Sequence, residues 1–579
     1  MDEEPDQHIH RPLPHILKSN NKLEVKMKST IYQIGLFMFF ALSFGQNVFA
    51  QTLNDVNENI VQVLDLIMLQ KELTNAASNG EYDIIHIGEG VFDLSLLDQD
   101  LGYYPLPLPQ VNKEEKYPIM IVGAGVGKTI FDAGNSVRKF GLSTAQLKDD
   151  MGVSITVRGI TFRNGGGSSS DHAGLSIHTK KGNIEVRECE FLSTDGSNGS
   201  TLLAMTGTEE GLGFIRVISC RFDSLRSTVK LSSSRASAYV EESKFTNFRD
   251  YPALDISNNL GVSFISKCKF INNHSIREAP LNAMVFSNGT VDVSDCIFEN
   301  NFGAQSGAVK VSGREARIKF NGNTLIANNG GKGSGAALLT MEGSGEITVE
   351  ANLFKENYNN TQGGGLSIIA GGSKMAELDD SKAFIGIYNN IFSENRTADE
   401  GGGVYVETQK GTVEIINNTI VGNTTLAYPL CNTSAGLCLK TVMNEASAVV
   451  YNNIFWDNTC KSELGSDLRI DNDPNSSAVG WLFEPDGIGA SVLISNNIVR
   501  NTSITISNTV AVENQFVENP LLDSTFNLHP NSPAIDAGTA LGHGILDGGK
   551  DFAGKARVVD GNGDGKEVVD IGAIEYKKK

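Results

Sequence analysis

The chain has 579 residues, with 61 Gly, only 15 Pro, 7% aromatics and a formal net charge of −20. So acidic a chain lacks the basic footprint that nucleic acid or an anionic membrane requires, which argues against both as partners. Its seven cysteines make no simple disulfide framework.

Residues 1–26 carry His and Pro with no apolar period and read as an upstream extension. Lys26-Met27-Lys28 then precedes an apolar run from Ile31 to Phe44, and Val48-Phe49-Ala50 precedes Gln51. A charged start, a short apolar core and a small residue at the cut describe a secretory signal peptide over 27–50. Met27 is then the start and Gln51–Lys579 the exported chain. No later stretch reaches the roughly 18 apolar residues of a membrane span, so no transmembrane helix is expected after cleavage. Val56, Ile60, Val63, Leu64, Ile67, Leu69 and Leu73 recur at helical intervals, predicting a helix from Asn54 to Ala77 that Asn79-Gly80 ends. Its place within 51–80 suits a cap over the first unit of a repeat array. Tyr82–Ile87, Pro118–Gly123 and Thr129–Asp132 read as the first strands. Gly123 to Thr129 imitates a phosphate loop, but Val122 stands where that loop needs Gly, so the segment is read as a corner.

From there one unit repeats. Its apolar anchors are Phe162, Phe191, Phe222, Phe245, Phe270, Phe298, Leu325, Phe354, Phe392, Ile420, Phe455 and Val499. Their mean spacing is about 31 residues, a period that marks stacked repeats. Two residues before the anchor stand Cys189, Cys220, Ser243, Cys268 and Cys296, then Asn323, Asn352, Asn390, Asn418, Asn453 and Asn497. Strand side chains alternate, so this column faces inward with the anchor, and its Asn amides are expected to bond from coil to coil. An Asn three residues after seven of the anchors suits a turn. Gly-rich corners such as 363–365 and 401–403 lead into a further strand. Strand, Asn turn, Gly corner and strand describe one coil of a parallel β-helix. The fold predicted is all-β and single-stranded, with about twelve coils over 81–520.

These features resemble the right-handed parallel β-helix proteins of the pectate-lyase superfold. The Gly-Gly-x and Phe-x-x-Asn signatures resemble those of chlamydial polymorphic outer-membrane proteins, and 118–132 resembles the opening coil of pectin-lyase-like proteins. The resemblance implies a right-handed helix and leaves function open, because one superfold hosts many activities. The four early cysteines would behave as small hydrophobes. Cys189–Cys220 or Cys268–Cys296 could bridge neighbouring coils, and a Cys431–Cys438 loop clamp is the best disulfide expected.

Residues flanking the anchors point outward. Arg221, Lys244 and Lys269 would stack in one exposed column, beside Glu190, Glu188, Glu242 and Lys267. A polyuronate or sulfated glycan could lie there, and lyases of the superfold use Arg or Lys, often with Ca²⁺, to abstract a sugar proton. The alternative is a solvated face of cross-coil ion pairs. In later coils the same column becomes Ile297, Thr324, Leu353, Ile391, Thr419, Ile454 and Ile498. An exposed stripe of that kind calls for a cover: an insertion, the C-terminal segment or a protein partner. Polygalacturonases pair Asp-Asp closely with Gly-His-Gly; here Asp379-Asp380 and Gly542–Gly544 are far apart and read as loops. Asp149-Asp150, Asp171-His172 and His178 remain candidate acid/base groups without a partner of note.

After Val499 the repeat fades, and 521–579 forms a separate cap. Asn519-Pro520, Ser532–Gly538, Asp551–Gly554, Arg557 and Asp570–Tyr576 resemble the ending of surface β-helix proteins of the choice-of-anchor Q type. In that family the segment closes the last coil and a sorting signal often follows; here the chain stops at Lys579, leaving surface attachment open. Asp560, Asn562, Asp564 and Gly565 match the first half of an EF-type loop, with Ile571 in place of the usual Glu and Asp570 or Glu567 as substitutes. A structural Ca²⁺ on Asp560, Asn562, Asp564 and Asp570 is the expectation. The function expected is a secreted or surface protein engaging extracellular polysaccharide without turnover, with a polyuronate lyase as the alternative.

Overall fold

The computed structural model describes residues 58–578, apart from 98–100, 105–115, 137–139, 146–151, 166–173, 194–200, 208–212, 372–381, 427–433, 442–445, 461–465, 472–490, 506–509 and 541–548. Glu58 aside, these belong to one compact unit, Asn59–Lys579. The signal peptide, Cys431 and the paired acids 149–150 and 379–380 lie outside the described residues, as do Asp171-His172 and 542–544.

A single coil explains the rest. Arg317–Asn321 runs extended with Ile318 and Phe320 buried. Gly322 turns the chain with a φ of 65°, and Thr324–Ile326 follows with Leu325 inward. Ala327, at φ 55°, makes the next corner before the two-residue strand Asn329–Gly330. The Ser334–Ala336 corner then leads to Ala337–Glu342. At Gly335 a Cβ would sit 1.8 Å from the Gly364 carbonyl oxygen, so only Gly fits where coils touch this closely.

Each strand of the coils pairs in parallel with its counterpart in the next coil, giving sheets of 16, 14, 8 and 14 strands, numbered one to four in their order along the coil just described, while Val558–Val559 and Val568–Val569 pair antiparallel in the C-terminal segment. The architecture is a parallel β-helix, as the repeat predicts. Sheet two has two rungs more than the twelve anchors, from Gly90–Asp93 and Thr129–Asp132, whose Phe92 and Phe131 are also inward. Fourteen rungs at about 4.8 Å make a rod of roughly 60 Å.

Three kinds of column fill the interior. Phe162, Phe191, Phe222, Phe245, Phe270 and Phe298 stack with ring centroids 4.6–4.9 Å apart. Beside them runs the anticipated Asn ladder: Nδ2 of Asn323 donates to Oδ1 of Asn352 at 3.0 Å, and the pattern continues through Asn390, Asn418 and Asn453 to Asn497. The Asn three residues after the anchor is not the turn residue expected. It faces inward and forms a second ladder, Asn273 through Asn301, Asn328, Asn357, Asn395 and Asn423 to Asn458, at 2.9 Å per step. The residue before it carries the left-handed backbone instead, as at Asn272, Asn300, Glu356 and Asp457. Buried amides satisfied on both sides turn a desolvation penalty into coil-to-coil registration.

The ladder's last member is not Asn but Asp467. Its Oδ1 accepts from Asn458 N and Nδ2, and its Oδ2 accepts from Asn501 N at 3.1 Å. Every neighbour there is a donor, so a pure acceptor is required.

Two expectations change. The predicted helix is instead the strand Glu58–Val63, which joins sheet one, followed by the helix Leu66–Asn79. Asp65 caps that helix by accepting from Met68 N, and Gly80 ends it in the left-handed conformation. Leu69 and Leu73 are buried on the inner face of the helix, Ile60 points outward from the strand, and Leu64 and Ile67, at the junction and in the first helical turn, are also exposed. Cys189, Cys220, Cys268 and Cys296 are free thiols packed in the core, so neither cross-coil disulfide exists. Burial pushes the Cys189 thiol up to about 12, which leaves it inert. Cys438, the described half of the proposed clamp, is also a buried free thiol.

Candidate functional site

Sheet two places Arg221, Lys244 and Lys269 in one outward column, in register over three adjacent coils. The column is continuous with Glu190 on one side and Ile297 on the other. Arg221 is neutralised: it meets Glu190 at 2.8 Å and Asp223 at 2.7 Å. The carboxyl of Asp223 feels burial upward, but bonds from Asn247, Thr246 and Arg221 hold it below its ordinary value. Lys244 and Lys269 are exposed and have no ion-pair partner among the described residues. The sequence therefore locates a real column, of which two members present free charge.

The column turns largely apolar from Ile297, and four coils beyond Lys269, at Ile391, the C-terminal segment lies over it. Ile391 packs with Ala573 and Ile574, and Leu353, Phe526 and Phe552 pack against them. Ile454 and Ile498 pack with Leu528, Ala534 and Ile571. Thr419 Oγ1 accepts from Ala573 N at 3.0 Å. The cover that the stripe required is thus this chain's own C-terminal segment. That packing accounts for the stripe from Ile391 to Ile498 without a protein partner. The segment does more than close the last coil, since Phe516 pairs beside Ile498 and the chain then runs back along the rod.

The lock of this cover is Arg557, fully buried, which pairs with Glu575 and donates to Asn389 Oδ1 and to Gly572 O at 2.6 Å. Burial pushes the Glu575 carboxyl up, against the pull of Arg557. Nearby, Asp560 accepts from Gly563, Asp564 and Gly565 N, while Asn562 accepts from Asp564 N. Two carboxylates and an amide oxygen in one loop are a donor set that fits a hard cation. Asp570 stands apart, its oxygens accepting from Asp536 and Tyr576 N at 2.7 and 2.6 Å, with its carboxyl pushed up to about 6 by burial. It is Asp536, not Asp570, that reaches the loop, accepting from Gly561 and Asn562 N. Among the described residues no three His, Cys, Asp or Glu side chains gather as a metal cage, so a cation here would also draw on Asn562 and backbone oxygen.

A second cluster, on the outer face of sheet four, escapes the sequence reading. Tyr405 and Glu407 stand in register with Cys438 and Lys440, and these with Arg469 and Asp471. Glu400 bonds Lys440 at 2.6 Å and Arg469 at 3.4 Å, and Arg469 bonds Asp471 at 3.0 Å. Burial pulls the Lys440 ammonium down, but Cys438, Glu400 and Asp471 outweigh it and hold the group protonated above its ordinary range. Outward alternation in Val404–Glu407, Leu437–Lys440 and Leu468–Asp471 is the signal that would have found it. Chemically the cluster is held by ion pairs, and Lys440 stands in it as an ammonium, not as a neutral amine ready to take a proton. His178, exposed on an early strand of the same sheet, has its pKa lowered by partial burial. An open cleft of about 700 Å³ near Asn288, Thr290 and Ser344 is edged by the Arg317–Glu346 pair at 2.8 Å and by Glu315.

Residues 201–383 match the family described as right handed beta helix region. No curated protein matches the chain. Among solved structures, it is similar to a periplasmic alginate epimerase crystallised as a double mutant (12% identity, 77% of this chain and 88% of that one, TM-score 0.30). It is similar also to tailspike protein 3 of bacteriophage CBA120 (11%, 78% and 57%, TM-score 0.35), spanning little more than half of that chain. A third is a mannuronic acid specific polysaccharide family 6 lyase from human gut microbiota (11%, 81% and 88%, TM-score 0.30). Identities this low speak to the fold alone. Among the described residues no helix is long and apolar enough to cross a membrane.

Proposed function

We propose that this protein is exported and engages an acidic extracellular polysaccharide by binding rather than turnover. The observation that carries the reading is the open basic column of sheet two: Lys244 and Lys269, in register and without an ion pair among the described residues, on a chain of net charge −20. A free cation on an acidic rod concentrates anionic ligand locally, and its pull is screened by salt. Binding without chemistry is supported by sheet four, where Lys440 is held protonated and Arg469 is tied to two carboxylates. A structural Ca²⁺ in the Asp560–Asp564 loop would stiffen the C-terminal cover and take no part in recognition.

Polyuronate lyase activity is a second reading, favoured by the concentration of buried titratable groups around Lys440. One assay separates the two. Purified Gln51–Lys579 is incubated with polyuronates and glycosaminoglycans while the ultraviolet absorbance of unsaturated uronate is followed, with and without chelator. Retention on an acidic glycan without product is the expected result. Product on any substrate would establish a lyase.

A further inference from the structure

Sheet three carries a column that no part of the basic reading uses. Each of its strands has two residues, the first outward: Arg249–Asp250 begins it with Asp250 half-buried, and in the following coils the second residue is buried, as at Ser275, Gly303, Asn359 and Thr397. The outward members over six successive coils are Arg249, His274, Phe302, Asn329, Tyr358 and Arg396, all in register. His274 and Phe302 stack with centroids 4.4 Å apart, so two adjacent coils share one apolar strip that remains partly in solvent. Arg249 and Arg396, the first and last of these six before the column runs on to Thr424 and Thr459, are exposed and form no ion pair among the described residues. The corner acids beside Arg396, Glu356 and Glu394, are taken by Lys355 at 3.1 and 3.9 Å. Some cations on this acidic rod are matched, as at Arg158–Glu188 and Arg317–Glu346, whereas Arg249 and Arg396, like Lys244 and Lys269, keep their charge open among the described residues. What sets the two arginines apart is the aromatic strip between them.

We propose that this strip of sheet three is the seat of one carboxylate-bearing polysaccharide chain lying along the rod axis. The proposal rests on the polysaccharide reading above and gives it a place, a ligand class and a length. Rungs repeat at about 4.8 Å, close to the length of one sugar residue, so successive sugars meet successive coils. Arg249 and Arg396 each donate paired N–H bonds to a uronate carboxylate in the forked geometry that guanidinium offers. His274, Phe302 and Tyr358 take the C–H-rich faces of the sugars between, as aromatic side chains bury apolar surface beside polar groups, and Asn329 bonds hydroxyls. Lys244 and Lys269 belong to the first two of these coils and attract the polymer without fixing its register.

The test is calorimetric titration of Gln51–Lys579 with polymannuronate oligosaccharides of two to ten sugars, with neutral cello-oligosaccharides as control. Affinity should rise with length to about six sugars and then level off. Arg249→Ala with Arg396→Ala should weaken binding at least about tenfold, and Phe302→Ala about fivefold, with unchanged melting temperature. Unaltered affinity in these variants, with loss confined to Lys244→Ala plus Lys269→Ala, overturns the strip and keeps the binding function on sheet two. Equal binding of neutral oligosaccharides overturns the ligand class. If the parent protein binds no acidic glycan, the function itself falls, and the strip with it.

Discussion

The outer face of sheet two is one surface built from one repeat, yet its two ends differ in kind. Early coils carry Arg221, Lys244 and Lys269 and lie open; late coils carry Ile391, Ile454 and Ile498 and are covered by the chain's own last sixty residues. Backbone, parallel register and the inward apolar anchor are the same in both. The difference shows that in a repeat fold the interior sets the architecture while the outward column is free to be spent on either solvent contact or self-association. The interior changes alongside: the column before the anchor is Cys or Ser beneath the open face and Asn beneath the covered one.

Removing the cover is the strongest way to break this comparison. Truncation after Asn519 should expose the Ile391–Ile498 stripe and convert the protein to aggregates, whereas the early face needs no such protection; size-exclusion chromatography reads the outcome. Next in size is the lock. Arg557→Ala leaves Glu575 buried and unpaired, and should cost about 3–5 kcal/mol, seen as release of the segment to protease while the rod stays resistant. A smaller effect sharpens the interior difference. Asn390→Ala orphans the buried Asn352 N–H and removes one of the acceptors of Asn352 Nδ2, and should cost about 1–3 kcal/mol, against less than about 1.5 kcal/mol for Cys268→Ala in the early column; denaturant unfolding measures both.

Acidity adds a graded effect. Burial raises Asp467 and Asp570 to about 6 from an ordinary 3.8. A raised carboxyl binds its proton more tightly folded than unfolded, so its contribution is full below the ordinary value and is lost as pH climbs through about 6. The melting temperature should therefore rise as pH is lowered from 7 to 5, and a fall over that window would count against these two burials. Smallest of all, Lys244→Ala with Lys269→Ala should leave stability within about 0.5 kcal/mol while weakening salt-dependent retention on an acidic glycan.

Much of the fold is legible in the chain because each coil repeats the same few chemical demands. Phe at the anchor and Asn or Cys two residues earlier recur closely enough to give the coils and their inward columns. The second ladder is hidden because Asn serves turns and ladders equally well, and only burial of Asn328 and Asn357 distinguishes them. The first strand is hidden because Val61 and Val63 fit both periods in so short a run. Of the candidate site, the Lys244–Lys269 column is legible from strand alternation next to an anchor. The strip from Arg249 to Arg396 is not, since a two-residue strand carries no periodicity of its own. The Lys440 cluster follows strands whose spacing is broken by insertions. That the late stripe needs a cover follows from its sequence; that Ala573 and Ile571 supply it does not.

The two Asn ladders have a direction: every side chain donates forward, toward the C-terminus, and accepts from behind. A coil that brings one Asn to each ladder is thus compatible with any coil before it and any coil after it. The span Asn323–Ala351 could be duplicated whole, with its donors meeting the copy's acceptors and no seam left unpaired. Only the terminus is particular, because Asp467 has no donor to pass on. Length in this rod is accordingly a heritable variable, adjustable by gain or loss of complete genetic repeats, with the acidic stop and its cover carried along unchanged.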